Sequence, residues 1–222
     1  MLVRIVSTIL VSLLAGCIPV PATWFDEIRY DNMAPRLEYQ GFSFDRPPNR
    51  KWSLRQSEQS HTDVTLRREI FSLSTTHTFY AQVSLGGIDR VPSSHEEFAE
   101  LARSKGQEAS YEIRTLSYEQ HLTTRQNQWC IRFESSHVAI GAPAAPDSEL
   151  MMILRGFRCL HRAWLKVTLD FFYSERGLAD EIDPKLWEEG EEFLRGVRID
   201  VAPGTPAVNK ALQPTAATAA LR

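Results

Sequence analysis

Residues 126–160 decide how this sequence folds: QNQWCIRFESSHVAI (126–140), then GAPAAPDSE (141–149), then LMMILRGFRCL (150–160). Both outer runs are dense in aliphatic, aromatic and β-branched side chains. The segment between them carries Gly141, Pro143, Pro146 and Asp147, residues that favour turns and interrupt strands. The pattern predicts two antiparallel strands joined by a loop. Across such a hairpin the numbers of facing residues have a constant total, so one pair fixes all the others. Closing it with Ala139 opposite Leu150 sets Cys130 opposite Cys159, Glu134 opposite Arg155 and Phe133 opposite Gly156. The second is an ion pair across the strands, and the first is a short separation suited to a disulfide.

Upstream, the domain is expected to begin near Gly41-Phe42-Ser43-Phe44-Asp45, a strand stopped by Pro47-Pro48. Trp52–Arg55, Val64–Ile70 and Thr78–Leu85 read as further short strands. Ser94-His95-Glu96-Glu97, just after Pro92, fits a capping box and predicts a helix. Phe98, Leu101 and Ala102 would face the sheet, with Gly106 ending the helix. Tyr111–Tyr118 and His121–Thr124 read as a second hairpin.

Downstream, His161-Arg162 is expected to turn the chain. Ala163, Leu165, Val167, Leu169 and Phe171 then alternate with Trp164, Lys166, Thr168 and Asp170, the periodicity of a half-buried strand. Asp183-Pro184 opens a last helix as N-cap and first helical residue. Leu186, Gly190, Phe193, Leu194 and Val197 share its inner face, with Gly190 allowing close backbone approach. Glu181, Glu188, Glu189, Glu191 and Glu192 are expected mostly in solvent. This order of elements, with Phe42-Ser43-Phe44-Asp45-Arg46-Pro47 opening the domain and Ser94-His95-Glu96-Glu97-Phe98 opening the first helix, resembles the PsbP/Mog1-like sandwich. The expected fold class is α+β, an antiparallel sheet packed with two main helices. The resemblance implies a binding or assembly module more often than an enzyme, and a fold alone does not fix function.

The N-terminus reads as an address. Arg4 precedes the apolar run Ile5–Leu14, far short of the roughly 20 apolar residues a spanning helix needs. Leu14-Ala15-Gly16-Cys17 then resembles the lipobox of bacterial lipoproteins. That resemblance implies a signal peptide at 1–16, a lipid on Cys17, and attachment to a membrane through that lipid. Each buried CH₂ of the acyl chains contributes about 0.8 kcal/mol, so several chains anchor stably. Ile18 stands where inner-membrane lipoproteins of enteric type carry Asp, which points to the periplasmic face of the outer membrane. The expected organisation is a lipidated tether at 17–40, an α+β domain at 41–202 and a disordered Pro/Ala/Thr-rich tail at 203–222. Within the tail, Asn209–Thr215 resembles read-through of the recombination site of integron gene cassettes.

The compartment sharpens the cysteine reading. With Cys17 taken by lipid, Cys130 and Cys159 remain in an oxidising space and are expected to form a disulfide. Removing residues 1–16 leaves 24 bases against 28 acids, a net charge of −4. A mildly acidic chain lacks the basic face that nucleic acid requires.

Catalytic signatures are missing: there is no phosphate loop after Gly86-Gly87, no Gly-x-Ser-x-Gly elbow and no His-Glu-x-x-His. Cys130, Cys159, His161 and His137 are the residue types of a zinc site, but oxidised thiols do not ligate zinc and His137 is too far along its strand. No metal, cofactor or catalytic residue is expected. Arg67, Arg68, Arg155, Arg158 and Arg162 could form a basic patch and Trp24, Trp52, Trp129, Trp164 and Trp187 a ligand groove, but solvated strand faces and core packing explain them more simply. The leading expectation is a non-enzymatic module that binds an envelope protein or cell-wall component. An envelope hydrolase is the alternative, and the cassette-like tail motivates a third, an immunity or resistance factor.

Overall fold

The computed structural model describes residues 25–57, 62–70, 76–103, 112–161 and 163–199. Cys17, the signal segment, Trp24, Gly106, Arg162 and the tail from residue 200 lie outside them. Among the described residues eleven strands and two α-helices follow in chain order, with one 3-10 turn at Tyr30–Asn32. The strands are β1 (Phe25–Arg29), β2 (Arg36–Tyr39), β3 (Phe42–Asp45), β4 (Trp52–Ser57), β5 (Asp63–Arg68), β6 (Thr78–Gly87), β7 (Glu112–Arg125), β8 (Gln128–Ile140), β9 (Leu150–Leu160), β10 (Val167–Gly177) and β11 (Arg198–Ile199). The helices are α1 (His95–Arg103), between β6 and β7, and α2 (Pro184–Gly196), between β10 and β11.

Eight strands make one antiparallel sheet, ordered β1-β4-β5-β6-β10-β9-β8-β7, and β11-β3-β2 make a second, smaller one. Because facing residues share a face, the register sorts the side chains. Cys130, Phe157, Phe171 and Val83 belong to the face covered by α2 and the small sheet, and they join Phe42, Phe44 and Phe193 in the main core. Ile131 and Leu160 belong to the other face, where α1 covers them with Phe98, Ala99 and Ala102. The α+β sandwich is therefore layered helix, sheet, helix with the small sheet beside α2. No helix among the described residues is long and apolar enough to cross a membrane.

The hairpin register is the expected one: Ala139 faces Leu150, Glu134 faces Arg155, Phe133 faces Gly156 and Cys130 faces Cys159. Gly156 is required there, since a Cβ would fall 2.4 Å from Phe172 Cβ on β10. The caps also form. Ser94 Oγ accepts from the Glu97 amide at 3.2 Å, and Asp183 Oδ1 accepts from the Lys185 amide at 3.0 Å, with Pro184 following it. The return half of the capping box shifts by one residue, because Glu97 Oε2 accepts from the amide and hydroxyl of Ser93. These bonds to the carboxylate hold the Glu97 pKa below its ordinary value.

Four expectations are corrected. The stretch 17–40 is not wholly a tether: β1 pairs with β4, β2 pairs with β3, and Met33, Leu37 and Tyr39 are buried in the main core. Pro35 falls within a segment whose apolar residues fill the core. Second, Tyr111–Thr124 is not a hairpin. From Glu112 it is one strand of 14 residues, and the turn comes at Gln126 and Asn127, both at positive φ.

Third, the alternation from Ala163 does not begin a strand. The Trp164 amide bonds to His161 O and the Val167 amide to Trp164 O, turning the chain here and leaving Leu165 exposed. The buried His161 ring stacks on Trp164 with centroids 4.4 Å apart and donates from Nε2 to Gly41 O at 3.2 Å. Gly41 has φ +87°, and a Cβ there would meet the Trp164 ring at 2.6 Å.

Fourth, the glutamates of the last helix are not all solvated. Glu189 accepts two bonds from Arg68, one from Trp52 Nε1 and one from Asn49. Glu191 accepts from Arg132 at 2.9 Å and Tyr173 Oη at 3.1 Å, while Glu181 accepts from Thr76 and the Leu178 amide. Arg68, Trp52, Asn49, Arg132 and Thr76 all lie far away in sequence, so helical periodicity alone does not disclose them.

Candidate docking edge

The two ends of the large sheet differ. β1 is short, with five residues, whereas β7 runs for 14 and is the last of the described strands at its end of the sheet. Edge strands present unpaired backbone donors and acceptors and so template the addition of another strand. Proteins blunt such edges with charge, proline or bulges. β7 has no proline, and its one irregularity is a bulge at Leu116, where the register moves from Thr115–His137 to Ser117–Ser136. From Ser117 to Arg125 the pairing is regular.

Apolar side chains line this edge. Leu116 and Tyr118 are each 51% exposed, Leu122 45% and Ile113 38%. The register puts Tyr118 and Leu122 on the α1 face, beside Trp129 of β8, which is itself partly exposed and stacked on His95 at 5.8 Å. His95 Nε2 donates to Cys130 O at 2.8 Å, fixing the start of α1 against β8. At the opposite end of α1, Arg158 is bidentate on Asp170 and donates to Ala102 O. The frame behind the edge is thus pinned at two points.

The cysteines are part of that frame. Cys130 and Cys159 are wholly buried register partners at disulfide-bonding distance, with Cα atoms 4.0 Å apart. His137 and His161 do not join them. His137 contacts Thr115 Oγ1 at 3.1 Å and Ser135 Oγ at 2.9 Å on the other face, and burial lowers its pKa. His161 is engaged with Gly41 and Trp164. Among the described residues no group of three His, Cys, Asp or Glu is placed to hold a metal.

The arginines do not converge either. Arg68 pairs with Glu189, Arg155 with Glu134 and Arg158 with Asp170, on both faces of the sheet. Trp52 is core, and Arg155 lies over the Trp187 ring at 4.1 Å. A hollow of about 230 Å³ lies where Pro47 and Pro48 meet the end of α2; its lining offers carboxylates and arginines but no hydroxyl, thiol or imidazole. The sequence reading missed β7 as a site. The signal available was the exposed Leu116, Tyr118 and Leu122 in a run without core periodicity.

No protein-family model matches this chain, and no curated protein matches it in sequence. Solved structures do align with it, and two of them are Mog1 proteins. A mutant of protein Mog1 covers 79% of this chain and 95% of its own, at 13% identity and TM-score 0.37. The Ran-binding protein Mog1p of Saccharomyces cerevisiae covers the same shares, at 12% identity and TM-score 0.31. At these values the likeness bears on no residue's role.

Proposed function

We propose that this chain is a non-enzymatic binding module of the bacterial envelope, anchored by a lipid on Cys17 and docking protein at the β7 edge. The anchor and the periplasmic side of the outer membrane rest on Leu14-Ala15-Gly16-Cys17 and Ile18. The binding role rests on one observation: a 14-residue edge strand that carries exposed Leu116, Tyr118 and Leu122 on a rigid, disulfide-range hairpin. Strand addition supplies affinity through backbone bonds, and the flanking side chains supply selectivity.

A photo-crosslinking amino acid at Tyr118 or Leu122 tests the edge in cells, with exposed Arg55 of β4 as the control position. Protein adducts at the first two and not at Arg55 are expected. Equal adducts at all three overturn the reading. The anchor is tested separately: Cys17→Ser should move the protein from the membrane to the soluble envelope fraction, and continued sedimentation with membranes refutes the lipid.

A further inference from the structure

Resting on the proposed lipid at Cys17, we propose that Arg29, Arg55 and Arg67 make a second contact with the membrane, a basic face that lies against anionic phospholipid. The length of the chain limits where the domain sits. Eight peptide steps separate Cys17 from Phe25, the first residue of β1. At about 3.6 Å per residue at most, that end of the sheet stays within about 30 Å of the acylated residue. β7 lies at the other end of the eight-stranded order, about 34 Å away across the sheet. The β1 end is therefore the one held near the lipid surface, and β7 is the end that stands farthest from it.

The register brings three arginines together at that end. Leu54, Val64 and Leu66 are buried in the main core, so Ser53, Arg55, Thr65 and Arg67 turn to the other face of the sheet. On that face Arg29 of β1 meets Ser53 of β4, Ser53 meets Arg67 of β5, and Arg55 stands two residues along β4. Strand geometry sets the three Cα atoms within about 10 Å of one another. All three side chains are exposed, and α1 packs on β7 and β8 at the far end of the face. Elsewhere in the sheet Arg68, Arg155 and Arg158 are neutralised by Glu189, Glu134 and Asp170. Among the described residues no carboxylate forms an ion pair with Arg29, Arg55 or Arg67. The nearby acids are Glu27, which faces Arg55 in the register, Asp63, engaged by Gln82 Nε2 at 3.0 Å, and Glu69 beside Lys51. With Arg176 of β10 on the same face, five bases stand against three acids. The opposite layer has the other sign: α2 carries Glu188, Glu189, Glu191 and Glu192 against Lys185 and Arg195. An anionic surface attracts the first layer and repels the second, so the charges orient the domain above its anchor.

Each arginine close to an anionic leaflet shifts the docked equilibrium about fivefold, and salt screens that gain. The acyl anchor keeps the domain at high effective concentration beside the surface, so three such contacts suffice to hold one face down. The lipidated protein, extracted from membranes and reconstituted into vesicles, tests this. A photo-crosslinking residue in place of Arg55 reports lipid contact within the face, and one in place of Leu122 reports it at the far end. In vesicles of phosphatidylglycerol and phosphatidylcholine, lipid adducts are expected at Arg55 and not at Leu122. Arg29→Gln with Arg67→Gln should then lower the Arg55 adduct about 25-fold at low salt, with an unchanged urea midpoint. Vesicles of phosphatidylcholine alone should lower it as well. Equal adducts at Arg55 and Leu122, or an Arg55 adduct that survives loss of both arginines, overturn the basic face. Vesicle flotation separates this from the anchor. A protein that floats without an Arg55 adduct keeps the lipid on Cys17 and loses the face, and one that does not float loses both.

Discussion

Gly190 of α2 lies directly on the ring of Tyr173: a Cβ at Gly190 would fall 2.5 Å from Tyr173 Cγ and Cδ1. The helix and β10 meet at this point, with the Tyr173 ring wholly buried and its hydroxyl bonded to Glu191 one residue along the helix. Gly190→Ala gains about 1 kcal/mol of helix propensity. Overpacking costs about 1–3 kcal/mol, and both the ring and the backbone are held in place, so the cost prevails. Urea unfolding should show Gly190→Ala less stable by about 1–2 kcal/mol. A more stable variant would mean that α2 does not dock this closely.

The same contact shows what the sequence discloses and what it does not. Gly190 stands amid Leu186, Phe193 and Leu194 at helical spacing, so its place on the inner face is legible. The facing rule makes Cys130–Cys159 legible for the same reason, as a local pattern that propagates along a strand. β7 was not legible as one strand. Its two sides are both largely exposed, so no alternation marks it, and the bulge at Leu116 breaks what periodicity there is. Ala163–Leu165 shows the reverse, an alternation that the turn before Val167 overrides. The partners of Glu189 depend on residues 121 to 140 positions away, which no local pattern reports.

Cys130 and Cys159 are wholly buried and 29 residues apart in sequence. Neither should react with an alkylating agent in the native protein, and both should do so after reduction and unfolding. Closing a loop of this length contributes about 3–4 kcal/mol by restricting the unfolded chain. Cys130→Ser with Cys159→Ser should lose stability of that order in denaturant. Rapid native labelling contradicts the pairing.

Glu189 ties α2 to β4 and β5. Burial raises its pKa, but the bonds from Arg68, Trp52 and Asn49 and the Arg68 charge outweigh burial and hold it below the ordinary value of 4.5. A depressed folded pKa gives stability that is full above the unfolded value and is lost as pH falls through the folded one. Glu189→Gln leaves the largely buried Arg68 guanidinium without its counter-ion, so a loss of about 3 kcal/mol is expected at pH 7. The gap between parent and variant should narrow as pH falls from about 5 through the depressed folded value. Unfolding followed across that range checks it, and a gap independent of pH refutes the ion-pair account.

Arg125 closes the opposite end of the same helix. Its Nη2 donates to Leu194 O at 2.5 Å and to Arg195 O and Val197 O at 3.1 Å, the carbonyls that a helix end leaves without partners. The guanidinium lies 5.2 Å from the Phe157 centroid and 5.4 Å from that of Phe171, so its stem also covers the core. Arg125→Met separates the two roles, keeping apolar cover and removing every donor. Charged hydrogen bonds contribute about 1.5–3 kcal/mol, and solvent reaching the freed carbonyls recovers part of that. A loss of about 1–2 kcal/mol is expected, together with faster amide exchange in the last turn of α2 and unchanged exchange across β8 and β9. The comparison with β8–β9 makes the result specific, because a general loosening would speed both. Unchanged protection at Phe193–Val197 would show that Gln126, whose Nε2 also donates to Val197 O at 3.1 Å, holds the helix end without Arg125.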